Sequence, residues 1–85
     1  MPYRSWLEVS RERIASNFHA VRAAVGSQVE VMPVVKADAC GHGAVEVSRV
    51  LADQGARWLA VSNVEEGRVL RMAGIRTRIL VMADF

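Results

Sequence analysis

One cysteine, Cys40, stands among the 85 residues, so no disulfide can form within the chain, which suits a reducing compartment. No apolar run approaches the roughly 18 residues of a membrane span, and the N-terminus lacks the apolar segment of a secretory signal. Nor does charge of one sign dominate. Eleven Lys and Arg against nine Asp and Glu leave a net +2, with the basic residues scattered, so there is no nucleic-acid footprint. The low hydrophobicity of a disordered chain is missing too, since 52% of the residues are hydrophobic. These absences point to one globular unit, free of membrane and nucleic acid, with a cytoplasmic location as the expectation. Its core must be small, because a chain of this length hides only about 60–65% of its unfolded surface.

What is present is a regular alternation of short apolar runs and amphipathic stretches. Residues 3–9 alternate Trp6 and Glu8 with Leu7 and Val9 and read as a short strand. Ser10 is a candidate N-cap for a helix whose Ile14, Phe18, Val21 and Val25 share one face and which Gly26 stops. Arg11, Arg13, Asn17 and Arg22 form its expected solvated side, and His19, with no second ligand three or four residues away, reads as a surface histidine.

Residues 29–36 form the first strong strand, interrupted by Pro33, whose nitrogen must face a gap, an edge or a bulge. A second helix follows over about residues 43–53, with Ala44, Val47, Val50 and Leu51 inward and Glu46, Arg49 and Asp53 outward, ended by Gly55. Residues 58–62 make a continuous apolar strand. Ser62 or Asn63, each three residues before a glutamate (Glu65, Glu66), then caps a third helix with Val69, Leu70 and Ala73 inward and Gly74 at its end. Residues 78–82 supply a last strand, Ile79-Leu80-Val81, expected to be buried.

Strands separated by single helices run parallel with right-handed crossovers, so the fold class is α/β. Three such strands leave both edges open and one face poorly covered, which suits part of a doubly wound sheet or of a (β/α)8 barrel of about 250 residues. Gly41-His42-Gly43 begins a dinucleotide fingerprint, but its third glycine falls on Glu46, whose bulk and charge oppose a pyrophosphate. The barrel is therefore preferred.

The chemistry-bearing stretch is Met32-Pro33-Val34-Val35-Lys36-Ala37-Asp38-Ala39-Cys40-Gly41-His42-Gly43. An apolar strand delivers Lys36 to its carboxyl end, where ligands of parallel sheets sit, and a glycine-flanked turn opens the next helix. A lysine there is paired, reaches to water, or is used chemically. Cys40 with His42 as a thiol nucleophile, and Asp38, Cys40 and His42 as a metal site, are poorer readings, because neither spacing matches a recognised pattern. Asp38 reads better as a carboxylate of the helix's first turn and His42 as a helix-start residue.

Val34-Val35-Lys36-Ala37-Asp38-Ala39-Cys40-Gly41-His42-Gly43 resembles the pyridoxal-phosphate attachment motif of alanine racemases, V-V-K-A-D-A-Y-G-H-G, at nine of ten positions. Arg4-Ser5-Trp6-Leu7-Glu8-Val9 is similar to the family's opening strand, and Trp58-Leu59-Ala60-Val61 and Ile79-Leu80-Val81 to its next two barrel strands. The resemblance implies that residues 1–9 hold a strand that joins a C-terminal β-domain. Residues 10–85 would then be the first part of the cofactor-binding TIM-type barrel, with about three of eight strands.

It also implies pyridoxal 5'-phosphate as cofactor, bonded to Lys36 as a Schiff base, with Lys36 then a base beside the substrate Cα. The expected reaction is interconversion of L- and D-alanine for peptidoglycan, by a homodimer. In the family the opposing base is a tyrosine from the partner subunit's C-terminal domain. Tyr3, the only tyrosine here, does not match that position. The arginine aimed at the pyridine nitrogen and most phosphate-binding groups are expected beyond residue 85. A racemase of another small amino acid, and a non-catalytic truncated remnant, are the alternative readings.

Cys40 departs from the family pattern. The tyrosine expected there brings its phenol near the cofactor phosphate, and a thiol is shorter and a weaker donor, so cofactor binding is expected to be weakened. Cys40→Tyr in the complete protein is expected to tighten pyridoxal-phosphate binding by about 1–3 kcal/mol, the worth of a charge-assisted hydrogen bond. Equilibrium dialysis of the cofactor measures this, and an unchanged dissociation constant would show that another group makes the contact.

Overall fold

A computed structural model of the chain describes residues 6–36 and 42–82. The elements are α1 (Trp6–Val25), α2 (His42–Asp53), β1 (Trp58–Val61), α3 (Val64–Met72) and β2 (Arg78–Val81). β1 and β2 pair in parallel, Trp58 with Arg78 through Val61 with Val81, and an isolated parallel bridge joins Val34 to Ala60. The fold is thus α/β with parallel strands. No described helix is long and apolar enough to cross a membrane.

Two consecutive helix–turn–strand units share one construction. Leu51 and Leu70 each stand four residues before a glycine, Gly55 and Gly74, and each glycine is followed by an apolar residue and an arginine. Ala56 donates its amide to the Leu51 carbonyl at 2.9 Å and Gly55 to Ala52 at 3.0 Å; Ile75 and Gly74 repeat this with Leu70 and Arg71, both at 3.0 Å. These are the paired bonds of a Schellman ending, which needs a left-handed residue after the helix, and Gly55 and Gly74 have φ of +95° and +88°. Leu51, Ala56, Leu70 and Ile75 are all buried, so each turn also seals the core where a strand begins. Arg71 holds the second turn by donating to the Ile75 and Thr77 carbonyls, both at 2.8 Å.

The core lies on one side of the sheet. Phe18, Val35, Ala44, Leu51, Leu59, Val61 and Leu70 meet there, with Ile14, Val47, Ile79 and Val81 packed around them. Strand side chains alternate faces, so residues 35, 59, 61, 79 and 81 point to the helices and residues 34, 36, 58, 60, 78, 80 and 82 to the other side. That second face carries no helix among the described residues. Val34, Leu80 and Met82 are exposed, and only Ala60, small and central, is covered by its neighbours. β2 therefore differs from the buried strand expected of it: Ile79 and Val81 are half-buried while Leu80 is 44% exposed.

The strand expected over residues 29–36 is reduced to the bridge at Val34, for a backbone reason. Ala60 donates to the Pro33 carbonyl and accepts from the Val35 amide, both at 2.8 Å. In a parallel ladder the next donor toward the chain's start would be the nitrogen of residue 33, reaching for Trp58, and proline has no N–H to give.

The N-terminal expectation also changes. Residues 6–9 are helical, continuous with α1, so the strand expected over residues 3–9 is absent from residue 6 onward and Ser10 lies inside the helix. Residues 1–5 are outside the described part. A strand needs a neighbour for its amides and carbonyls, and no described strand stands beside this run, whereas a helix satisfies them internally. Along α1 only the first half of the apolar stripe is used: Phe18 is buried and Ile14 half-buried, but Val21 and Val25 are exposed. Arg11 and Arg22 belong to the contact with α2 and the turn after it: Arg11 pairs with Glu46 at 2.9 Å, and Arg22 lies over the Phe18 ring and donates to the Gln54 carbonyl at 3.3 Å.

Two core positions are not optimised for stability. The Ser48 hydroxyl is fully buried without a hydrogen-bond partner, and Gly67 occupies the interior of α3 although a Cβ there would meet Val61, Ile79 and Val81 at 3.7–4.0 Å, ordinary contact distances. Ser48→Ala and Gly67→Ala are each expected to stabilise the protein by about 1 kcal/mol, the first by removing an unsatisfied polar group and the second through helix propensity. Urea denaturation midpoints measure both, and a lowered midpoint in either would contradict the corresponding argument.

Candidate functional site

The carboxyl edge of the sheet gathers the reactive features. Lys36 follows buried Val35 and is exposed, on the open face. Continuing the register of the Val34–Ala60 bridge and the Ala60–Leu80 pair by two residues aligns Lys36 with Ser62 and Met82. The Met82 amide donates to the Val61 carbonyl at 2.8 Å, so β2 keeps its register up to this row. Behind the row, on the same face, lie Val34, Ala60 and Leu80. A primary amine thus stands above an apolar floor whose centre is left low by an alanine.

Two helix N-termini reach this edge. α2 begins at His42, five residues beyond the chain position after Lys36, and α3 begins at Val64, directly after β1. Free amides and the helix dipole favour an anion at such ends. The α3 end is closed by its own side chains: Asn63, extended at φ −150°, accepts from the Glu66 amide at 2.9 Å, and Glu66 Oε1 accepts from the Ser62 amide at 2.6 Å. Of the two cap pairs open from the sequence, Asn63 with Glu66 is the one formed. The first turn of α2 carries no acidic residue.

Of the expected site residues, Lys36 is where a strand-end reactive group was expected. Cys40 and Asp38 lie outside the described residues, as do Tyr3 and the side chain of His42. His19 is exposed, as expected, and its Nε2 meets Gln54 Oε1 at 2.6 Å. Among the described residues no three His, Cys, Asp or Glu side chains converge on a metal position. A polar hollow of about 690 Å3, lined in part by Arg22, Glu30 and Arg57, lies at the opposite, amino edge and includes none of the Lys36 row. Sequence reading overlooked Ser62 and Met82 as neighbours of Lys36. The three apolar runs were legible, but register between strands is visible only once they pair.

Lys36 and the apolar residues beside it fit a ring-bearing aldehyde: an amine to bond it and an apolar floor for the ring.

Residues 9–85 match the family model described as alanine racemase, N-terminal domain. Among curated proteins, the chain is 46% identical over 77 residues to alanine racemase 2 of Bacillus subtilis, 91% of this chain and 20% of that protein. It is 47% identical over 77 residues to the alanine racemase of Carboxydothermus hydrogenoformans, 91% of this chain and 21% of that protein. It is 43% identical over 79 residues to that of Synechocystis, covering 93% and 21% respectively. The chain spans about one fifth of the length of these relatives.

Proposed function

Because the chain belongs to the alanine racemase N-terminal domain family, we propose that it is the opening part of a pyridoxal-phosphate-dependent racemase acting on alanine, with Lys36 its cofactor-bearing base. The observation that carries this reading is the setting of Lys36: an exposed amine at the carboxyl edge of a parallel sheet, on the face the helices leave open. The names of the matched relatives support alanine over another small amino acid.

Pyridoxal phosphate, when bound, supplies the electron sink that makes the substrate Cα proton acidic. The rest is the work of side chains. Lys36 would hold the group through its Nζ and, when not so bonded, would take or return the Cα proton at that atom. Ala60, Leu80 and Met82 form the floor that keeps water from one side of this amine. Cys40 stands at the sequence position of the family tyrosine, and a thiol there would hold a phosphate more weakly than a phenol. Racemisation needs a second acid or base on the opposite side of Cα, and that group comes from the remainder of the protein, together with the other barrel strands, a C-terminal β-domain and a second subunit. The complete homodimer works in the cytoplasm, supplying D-alanine for peptidoglycan.

Borohydride reduction of the complete protein is expected to fix the cofactor on the peptide that contains Lys36, and Lys36→Ala is expected to lose both this label and racemisation down to the rate of free pyridoxal phosphate. A label elsewhere would overturn the assignment. Residues 1–85 by themselves, incubated with pyridoxal phosphate and L-alanine, are expected to yield no D-alanine above the free-cofactor background, because one base cannot efficiently exchange a proton across both faces of a carbanion. D-alanine formed in excess and lost in Lys36→Ala would count against the need for a second group.

A further inference from the structure

We infer that Glu66 is a positioning residue for Lys36: by taking the Ser62 amide it deprives the Val35 carbonyl of its partner on β1, so the pairing stops one residue before Lys36. The inference rests on the cofactor-bearing role of Lys36 and adds a residue that acts on it from the next βα unit.

The argument is one of hydrogen-bond phase. Ala60 directs its N–H and C=O toward residues 33–35, while Val61 directs its carbonyl toward β2 and accepts from Met82. Backbone groups alternate sides along a strand, so the Ser62 amide points the same way as that of Ala60. Ala60 donates to Pro33, and the same step two residues on would have Ser62 donate to Val35. It donates instead to Glu66 Oε1, at 2.6 Å, a charge-assisted bond that outcompetes a neutral carbonyl.

The usual capping box returns the third helical residue's carboxylate to the amide of the cap residue itself. Here it reaches one residue further back, past Asn63, to the end of the strand. The start of α3 is seated against the sheet, since Gly67, next in the helix, is buried and a Cβ there would meet Val61, Ile79 and Val81. With Pro33 lacking a donor below and Glu66 holding the Ser62 donor above, pairing of this segment is confined to Ala60 among the described residues. Lys36 is the first residue past it, and its chain is free to turn toward α2 at the level where the amine must meet the cofactor.

Four variants of the complete protein test this. Glu66→Ala removes the acceptor. Glu66→Asp keeps the charge and the helix-start preference but shortens the reach. Glu66→Gln keeps both reach and an acceptor oxygen. Asn63→Ala weakens the same helix start while leaving the Glu66–Ser62 bond. Glu66→Ala and Glu66→Asp are expected to retain pyridoxal phosphate on Lys36 about tenfold less well or worse, since small misplacements of a reacting group are amplified in this way. Asn63→Ala is expected to stay near the parent, and Glu66→Gln, whose neutral oxygen competes less well for the Ser62 amide, to fall between the parent and Glu66→Ala.

Crystal structures of the cofactor-free Glu66→Asp and parent proteins give a readout independent of loading: the Ser62 amide is expected on the Val35 carbonyl in the variant and on Glu66 in the parent. Parent-like retention in Glu66→Asp, an Asn63→Ala defect equal to that of Glu66→Ala, or an unmoved Ser62 amide in the variant would each overturn the inference. A parent that traps no cofactor on Lys36 fails the functional reading instead, and the crystal comparison then still decides the geometric one.

Discussion

Everything described here hangs on the two sides of β1. Through Ala60 it bonds the segment that carries Lys36, and through Val61 it bonds β2 by way of Met82. Leu59, Ala60 and Val61 are all within a few percent of complete burial, so these bonds form away from water, where an unmade one is expensive. The helices are fitted to this strand: Leu51 and Ala56 close the turn that leads into it, and Asn63 and Glu66 cap the helix that leaves it.

The two faces of the sheet have separate tasks. Toward the helices, Val35, Leu59 and Val61 supply the apolar burial that holds the fold. Toward the open side, Val34, Ala60, Leu80 and Met82 set a surface beneath Lys36, and Trp58 and Arg78 stack at the other end, with the guanidinium 5.7 Å from the ring. The alternation of strand side chains makes this division automatic: Val35 cannot anchor the segment in the core without sending Lys36 the other way. The helix-side core therefore orients the amine without touching it.

Departures from regularity cluster around the same residue. Pro33 interrupts the ladder on one side of Ala60, and the Ser62 amide leaves it on the other. Both shorten a strand that apolar content alone would have made longer. A fully paired strand would hold Lys36 in the sheet plane, whereas a segment pinned at one bridge positions the residue and still lets the chain leave for α2.

Local signals in the sequence determined most of the elements. The glycines after α1, α2 and α3, the apolar runs at 58–61 and 78–81, and the strand-to-helix change at Lys36 were legible because turn chemistry and side-chain periodicity act over a few residues. So was the motif itself, whose residues carry the family resemblance. Tertiary structure alone decided the rest. It chose Asn63 over Ser62 as cap, made residues 6–9 helical, left Val21, Val25 and Leu80 in water, and buried Ser48. Each depends on what lies across from a residue: a neighbouring strand for residues 6–9, a covering layer for Leu80, a free amide for Glu66. A sequence states which groups are available for burial or bonding, and only packing decides which of them find a partner.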